Sequence, residues 1–183
     1  MFIDGSECLL FIKENLMTVQ EKKEEIKFII GRFDHYYDSV NNKGNLYLAV
    51  NTFILGGVLS GYLSLDAKCH FGNEVLLMLV IALGLNLVSF YFTLKAVNPF
   101  LSRKQNTPSM LYFGDVSNAS EAYTIEYWEN ISDMTLLDDL IMQYRILAAG
   151  LFTKFKWLQK ATGFIALEIA VIIFSGILLF IIY

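Results

Sequence analysis

The alternation of apolar and polar segments predicts three membrane-spanning helices. Residues 44–65 contain no charged side chain, and a run of this length is long enough to cross a bilayer as a helix. Two further segments are similarly apolar, and Pro99 follows the first of them, where it ends the helical hydrogen-bond ladder. We therefore predict spans at residues 44–65, 74–95 and 161–183, with a short external connection at residues 66–73.

The residues before the first span have the pattern of an amphipathic helix. Apolar side chains recur at steps of three and four over residues 6–43, apart from one skipped position at Lys23. The opposite face carries glutamates and lysines, which is typical of the solvated face of a bundle helix. We predict one helix over residues 6–43, within a cytoplasmic segment 1–43, that continues into the first span.

The segment between the second and third spans, residues 96–160, is more polar than the spans themselves. A serine precedes its last apolar-periodic stretch, as expected of a helix N-cap. The elements predicted here are a short extended piece at residues 110–113, a short helix at 121–130, and a long helix from residue 133. Ser132 would cap that long helix, and Gly150 and Gly163 are places where it could bend before the third span.

Composition and charge support this organisation and orient it. The chain is 55% hydrophobic and only 17% charged, compared with about 25% charged in soluble domains. Of the 14 lysines and arginines, only Lys68 falls in the external connection. The positive-inside rule therefore places the N-terminus in the cytoplasm and the C-terminus outside. The predicted fold is an all-α membrane protein with three transmembrane helices and a small discontinuous cytoplasmic helical domain.

Several classes of function lack support in the sequence. Cys8 and Cys69 form no paired motif, and His35 and His70 add no ligand spacing, so neither a metal site nor a cofactor is expected. No nucleophile–base constellation or paired carboxylates suggest an enzyme. No basic stripe interleaved with aromatic residues suggests a nucleic acid polymer as partner.

Polar residues inside the predicted spans are candidates for packing or gating. Glu168 would be costly in hydrocarbon, so it would either line a pore or switch with protonation, or pair near the interface with Lys160. Asn51 and Asn86 would either bond neighbouring helices or line a pathway.

Small residues in the first span indicate a helix–helix contact. Gly57 and Gly61 form a GxxxG motif, which lets two helix backbones approach closely in lipid. The contact could lie within one chain or between chains. Because three helices are too few to enclose a wide pore, we expect a homo-oligomer in the lipid bilayer.

Three short motifs occur in a fixed order relative to the spans. Asn-Asn-Lys-Gly at residues 41–44 precedes the first span, Tyr-Phe-Gly-Asp-Val at 112–116 follows the second, and Asp-Leu-Ile-Met-Gln at 139–143 with Lys-Phe at 154–155 leads to the third. This order resembles the transmembrane effectors of bacterial cyclic-pyrimidine anti-phage systems, the Pycsar effectors. In that family the first motif is like Asp-x-Lys-Ala, so asparagine and glycine here replace aspartate and alanine.

The resemblance implies an anti-phage defence effector of the bacterial inner membrane. A cyclase that senses phage would make a cyclic nucleotide, with cCMP or cUMP expected. The cytoplasmic region would bind it, and the membrane region would then disrupt the membrane and cause abortive infection. Residues 41–44 would act as a coupling hinge.

A cyclic nucleotide needs a cation for its phosphate, an aromatic ring against its base and amides at the base edge. The candidates are Arg32, Lys43, Arg145 and Lys154 for phosphate, Tyr36, Tyr37 and Tyr112 for stacking, and Asn41, Asn42, Asp115 and Gln143 for hydrogen bonds. Structural alternatives are a snorkelling Lys43, a salt bridge of Arg145 with Asp34 or Asp38, core packing of Tyr37, and a turn capped by Asp115.

A second hypothesis requires no nucleotide. The chain could instead be a membrane-anchored helical scaffold or adaptor whose cytoplasmic part docks a protein partner. Binding of a cyclic nucleotide would distinguish the two.

Overall fold

The computed structural model describes residues 17–66, 73–99 and 109–182, whose regular elements are all helices. Three of these helices are long and apolar enough to cross a membrane. The predicted all-α fold with three membrane helices is therefore confirmed. The helices are α1 (Val19–Asp66), α2 (Asn73–Val97), α3 (Phe113–Val116), α4 (Glu121–Asn130) and α5 (Asp133–Ile182).

Helix α1 begins at a local cap. Thr18 Oγ1 accepts the backbone N–H of Glu21 at 3.2 Å, and Glu21 Oε2 accepts the backbone N–H of Thr18 at 2.7 Å. This reciprocal pair is a capping box, and its hydrogen bonds lower the pKa of Glu21. We predicted a helix from residue 6 onward, which would include residues 17 and 18. That prediction is wrong for these two residues, because both precede the first helical residue, Val19. Residues 1–16 lie outside the described chain.

The extended piece predicted at residues 110–113 is also wrong, because these residues form a turn and the start of α3. Ser109 Oγ accepts the backbone N–H of Leu111 at 3.1 Å, and its carbonyl accepts that of Tyr112 at 3.3 Å. A serine that bonds nearby backbone in this way favours a turn over a strand. Helix α4 has the predicted bounds.

Helix α5 runs for 50 residues without a break, so neither Gly150 nor Gly163 ends it. Its predicted N-cap is confirmed, because Ser132 Oγ accepts the backbone N–H of Thr135 at 3.1 Å. One helix therefore contains both the predicted amphipathic segment and the predicted third span.

We expect Ser132→Ala to lower the free energy of unfolding by about 1 kcal/mol, because a backbone N–H at the start of α5 loses its acceptor. Thermal unfolding of detergent-solubilised protein, followed by circular dichroism, measures this. Ser117→Ala is the control, since that hydroxyl only donates to the Gly114 carbonyl in an exposed turn. Equal losses in both variants would contradict the capping role.

The chain divides into two compact units. Met1–Asp34 and Ser102–Ala148 form the first, here called the head unit. His35–Leu101 and Ala149–Tyr183 form the second, here called the span unit. Helices α1 and α5 each contribute residues to both.

The head unit has an apolar core and one ion pair that joins a buried lysine to an exposed aspartate. Leu137 and Leu140 are buried, and the rings of Phe33 and Tyr144 stack with their centroids 5.4 Å apart. Lys23 Nζ bonds Asp133 Oδ1 at 2.6 Å, and the lysine side chain is only 6% exposed. This pair explains why a lysine interrupts the apolar pattern of α1.

The span unit buries small and polar residues and exposes large apolar ones. Phe53 is 82% exposed and Phe180 is 89% exposed. Helices in lipid have this pattern because close backbone packing and interhelical hydrogen bonds hold them together, while large apolar side chains face the acyl chains. The buried small residues of α2 and α5 in this unit are Ala82, Ser89, Thr93, Ala96, Gly150 and Ala161.

Candidate functional site

The eleven predicted ligand residues fall into both units. Arg32, Tyr112, Asp115, Gln143 and Arg145 belong to the head unit. The span unit holds the other six, which are Tyr36, Tyr37, Asn41, Asn42, Lys43 and Lys154. Within each unit the structure brings some of these residues together and leaves others on the surface.

Ser109 joins three motif residues of the head unit. Its backbone N–H donates to Asp115 Oδ2 at 2.8 Å, and its hydroxyl donates to Asp139 Oδ2 at 2.7 Å. Gln143 Nε2 in turn donates to Ser109 Oγ at 3.2 Å. Our sequence analysis missed Ser109. The signal that could have pointed to such a partner is the pair Asp139 and Gln143, because polar residues four apart share one helix face.

Helix α4 reaches the same carboxylate through Tyr127. Burial first, and then the nearby Asp139 charge, raise the pKa of the Tyr127 hydroxyl. The tyrosine is therefore a protonated donor at neutral pH, and Asp139 connects α4, α5 and the turn at Ser109.

A cleft of about 340 Å³ lies in the head unit beside Gln143. Lys27 and Asp34 place both signs of charge on its α1 side. At Gly31 an added Cβ would meet no atom within 4 Å, so the cleft is open there. The cleft is lined by Lys27, Ile30, Gly31, Asp34, Leu111, Leu140, Gln143 and Leu147.

The sequence held a signal for this cleft. Lys27, Gly31 and Asp34 are spaced by four and three residues, so they share one face of α1. A glycine between two charged residues on one helix face indicates a place where the helix surface is both polar and open. We did not use that spacing, and only Gln143 among our candidate residues lines the cleft.

The other head-unit candidates lie elsewhere. Arg32 and Arg145 are exposed. Tyr112 is half-buried, with its ring 5.0 Å from that of Phe113. A Cβ added at Gly114 would lie 2.6 Å from the Tyr112 ring, so the glycine of the Tyr-Phe-Gly-Asp-Val motif makes room for that ring.

In the span unit, Lys154 is bound to the end of α2. Its Nζ donates to the carbonyls of Ala96 at 2.7 Å and Val97 at 3.0 Å, and to Asn41 Oδ1 at 3.4 Å. It also lies 5.9 Å from the centre of the Tyr37 ring. Lys154 is only 4% exposed, and burial lowers the pKa of its ammonium. A positive charge suits the end of a helix, where carbonyls lack intrahelical partners.

Tyr36 and Lys43 are exposed on α1, as is Asn42. Gly44 is buried, and a Cβ added there would lie 2.3 Å from Val97 Cγ2. The alanine of the resembled family motif would therefore collide with Val97 in this chain. Glycine at this position lets α1 approach the end of α2.

A polar cluster joins the three long helices inside the span unit. Asn86 Nδ2 donates to Glu168 Oε1 at 2.9 Å and to the Asn51 carbonyl at 3.1 Å. The asparagines thus bond neighbouring helices, which was one of the two alternatives we left open. Glu168 is paired with Asn86, whereas Lys160 Nζ lies 4.6 Å from the centre of the Trp157 ring.

Gly57 and Gly61 make no close contact within the described chain. Both are exposed, and a Cβ added at either would meet nothing within 4 Å. They line an apolar crevice of about 210 Å³ with residues of α2 and α5. The GxxxG face is therefore not used for close packing inside this chain.

Within residues 17–66, 73–99 and 109–182, no three His, Cys, Asp or Glu side chains form a group that could hold a metal ion. Cys8, Lys68, Cys69 and His70 lie outside these residues.

Comparison with known protein families identifies a relationship that covers most of the chain. The family model described as the Pycsar effector protein domain matches residues 25–182. This range includes both units' described helices apart from the first turns of α1. No curated protein and no solved structure matches the chain.

Proposed function

The chain belongs to the Pycsar effector family, and we propose that this anti-phage transmembrane effector binds a cyclic pyrimidine nucleotide, cCMP or cUMP, through its head unit. Its membrane helices then disrupt the bacterial inner membrane and cause abortive infection. Membership supports the role in defence. The ligand, its site and the membrane step are the parts that we propose.

The observation that carries the binding site is the head-unit cleft. Its volume of about 340 Å³ lies at the lower end of the range of small-molecule pockets, about 300 to 1,000 Å³. A cyclic mononucleotide is a ligand of suitable size. The larger cyclic oligonucleotides used by related membrane effectors would extend beyond such a cleft.

The lining also suits the chemistry of this ligand. Leu140 and Leu147 offer an apolar wall for the base, and Lys27 offers a cation for the phosphate. Lys27 Nζ is 3.1 Å from Glu24 Oε1, but both side chains are more than half exposed. Surface ion pairs of this kind contribute little, so phosphate competes easily with Glu24. Gln143 offers an amide for the base edge.

Continuous helices provide a route from this cleft to the membrane. The cleft is lined by residues of α1 and α5, and both helices run without a break into the span unit. A ligand that changes the packing of their head-unit segments would alter their membrane segments as well. The segment 41–44, where Gly44 lies against Val97, is the proposed hinge.

The proposed topology and assembly in the membrane are supported by the distribution of charge and by the number of helices. Because nearly all lysines and arginines lie outside residues 66–73, we propose that the N-terminus is cytoplasmic and the C-terminus external. Three helices per chain are too few for a wide pore, so homo-oligomerisation is part of the proposal. Spans at residues 44–65, 74–95 and 161–183 would form the assembly.

Filling the cleft tests the binding site. We expect Gly31→Trp to weaken cCMP or cUMP binding at least tenfold, because the indole would occupy the cleft. Gly31→Ala is the matched control and should bind within about threefold of wild type, since a methyl group leaves most of the cleft empty and alanine favours the helix. Isothermal titration of detergent-solubilised protein measures both affinities.

Two results would overturn this proposal. Equal nucleotide affinity in wild type and Gly31→Trp would place the ligand elsewhere in the protein. No binding of any cyclic mononucleotide to wild type, together with capture of a specific protein partner, would favour the scaffold hypothesis. Arg32 and Lys43, the phosphate contacts expected from the sequence, do not line this cleft. They make a competing prediction, that Arg32→Ala and Lys43→Ala prevent depolarisation in cells that express the cognate cyclase.

A further inference from the structure

The polar cluster inside the span unit contains a buried acid that the proposed function does not use. Glu168 on α5 is 1% exposed and Asn51 on α1 is fully buried. Ser89 on α2 completes the cluster, because its hydroxyl lies 3.2 Å from Asn51 Oδ1 and 3.4 Å from the Ala161 carbonyl. Each of the three long helices therefore supplies at least one member.

Two buried polar atoms of the cluster lack a hydrogen-bond partner, and one of them belongs to the carboxyl group of Glu168. Glu168 Oε1 accepts one hydrogen bond from Asn86, but Glu168 Oε2 has no partner, and neither has Asn51 Nδ2. An ionised carboxylate needs several donors or a cation when it is removed from water. A single amide donor leaves most of that requirement unmet.

The membrane segments of α1 and α2 supply no charged side chain that could neutralise an ionised Glu168. The members that α1 and α2 supply to the cluster are Asn51, Asn86 and Ser89. All three have neutral side chains, and Asn86 bonds the carboxyl group directly. Between residues 46 and 64 of α1 and between 75 and 94 of α2 there is no charged residue. The titratable side chains of those stretches are the tyrosines Tyr47, Tyr62 and Tyr91. On α5 the charged residue closest in sequence is Lys160, about two turns away, with its ammonium over aromatic rings.

A metal ion is a poorer occupant than a proton. Hard cations take six or more oxygen ligands, commonly from several carboxylates. This cluster offers one carboxylate, and the described residues contain no group of acids or histidines that could hold a metal. A proton needs only one oxygen and cancels the charge.

We infer that Glu168 is a proton-binding site whose neutral acid form holds α1, α2 and α5 together inside the membrane. In this form Oε1 accepts the hydrogen bond from Asn86 while Oε2 carries the proton. Release of the proton to water leaves a carboxylate with one donor in an apolar setting. The helices then separate to let water reach it, so the site is a device for opening the span unit.

Infrared spectroscopy of the full chain in lipid, without nucleotide, tests the site directly. At about pH 8, where exposed carboxylates are ionised, wild type should show a carboxylic-acid C=O band that Glu168→Gln lacks. Asn86→Leu should keep this band but shift it to higher frequency, because the carbonyl loses its donor. Ser175→Ala is the control, since that hydroxyl only bonds Val171 O on its own helix.

Stability against pH gives a second measurement. The folded state would hold a proton that the unfolded chain, with an ordinary glutamate near pH 4.3, has released. Above about pH 5 the ratio of folded to unfolded wild type should therefore fall with rising pH, by up to tenfold per unit. Glu168→Gln, a neutral isostere, should remove this dependence.

The outcomes are separable from those of the nucleotide proposal, because no nucleotide is present. Absence of a Glu168-dependent acid band in wild type would overturn the inference. So would stability that depends on sodium rather than on pH when NaCl is exchanged for choline chloride. If Glu168→Gln does not fold, the infrared spectrum of Asn86→Leu still tests the inference. A carboxylic-acid band at the same frequency as in wild type would show that the band does not come from Glu168 and would overturn the inference.

Discussion

Replacement of Lys154 by methionine is expected to lower the free energy of unfolding by about 2 to 5 kcal/mol. Methionine keeps most of the aliphatic side chain but removes the ammonium. The carbonyls of Ala96 and Val97 then lose a charged donor at the end of α2, and Lys154 is too deeply buried for water to replace it. Thermal unfolding of detergent-solubilised protein measures the loss.

Lys156→Met is the matched control, because it is the same substitution two residues away. Lys156 is exposed and lies 4.4 Å from the centre of the Phe152 ring, a contact of about 0.5 to 1 kcal/mol at an exposed site. Similar losses in the two variants would show that the buried hydrogen bonds of Lys154 contribute little.

The same variant tests the phosphate contact that the sequence analysis expected of Lys154, which does not line the head-unit cleft. If its ammonium serves only the end of α2, Lys154→Met should destabilise the protein but leave the affinity of the remaining folded protein for cyclic nucleotide nearly unchanged. A tenfold loss of affinity with unchanged stability would assign the lysine to the ligand instead.

Replacement of Gly44 by valine is expected to have the second large effect, a loss of about 1 to 3 kcal/mol from overpacking. The Cβ alone would lie 2.3 Å from Val97 Cγ2. Valine at position 97 is stiff, because a branched side chain in a helix has one strongly preferred rotamer. The clash must therefore move a backbone, and thermal unfolding measures the cost.

Gly56→Val is the control, since a Cβ at Gly56 would meet nothing within 4 Å. A double-mutant cycle identifies the cause: Val97→Ala removes the colliding methyl groups and should recover part of the stability of Gly44→Val. Purely additive effects of the two substitutions would contradict a direct contact.

Lys154 and Gly44 act at one place in the span unit, the C-terminal end of α2. Lys154 donates hydrogen bonds to the carbonyls of Ala96 and Val97 at this end. Gly44 lets α1 approach the same end of α2. Both belong to motifs that the sequence analysis placed next to spans. The motif residues beside the spans thus have a structural role in holding three helices together, in addition to any role that nucleotide binding assigns to them.

Some residues could be interpreted from the sequence because their role is local. Ser132 caps α5 through a residue three positions away, so the identity of that one side chain was sufficient. The three spans likewise depend only on length and hydropathy. For Asn86 the sequence limited the role to two, bonding neighbouring helices or lining a pathway, because a buried amide in lipid has few alternatives.

Other residues needed their distant partners. Lys23 interrupted an apolar pattern, and only its bond to Asp133, 110 residues away, shows why. Ser109 was missed because its three polar partners lie 6 to 34 residues further along the chain. The cleft at Gly31 was missed because a cavity is defined by what lies opposite a helix face.

The sequence by itself determined an all-α chain with three helices able to cross a membrane, because backbone hydrogen bonding in lipid and the length of apolar runs leave no other solution. It also determined the family, through motifs in a set order. Only the tertiary structure decided that Lys154 binds the end of α2, that Glu168 meets Asn86, and that Gly57 and Gly61 stay open within the chain. These contacts depend on which faces of separate helices meet, and the order of residues along one helix does not specify that.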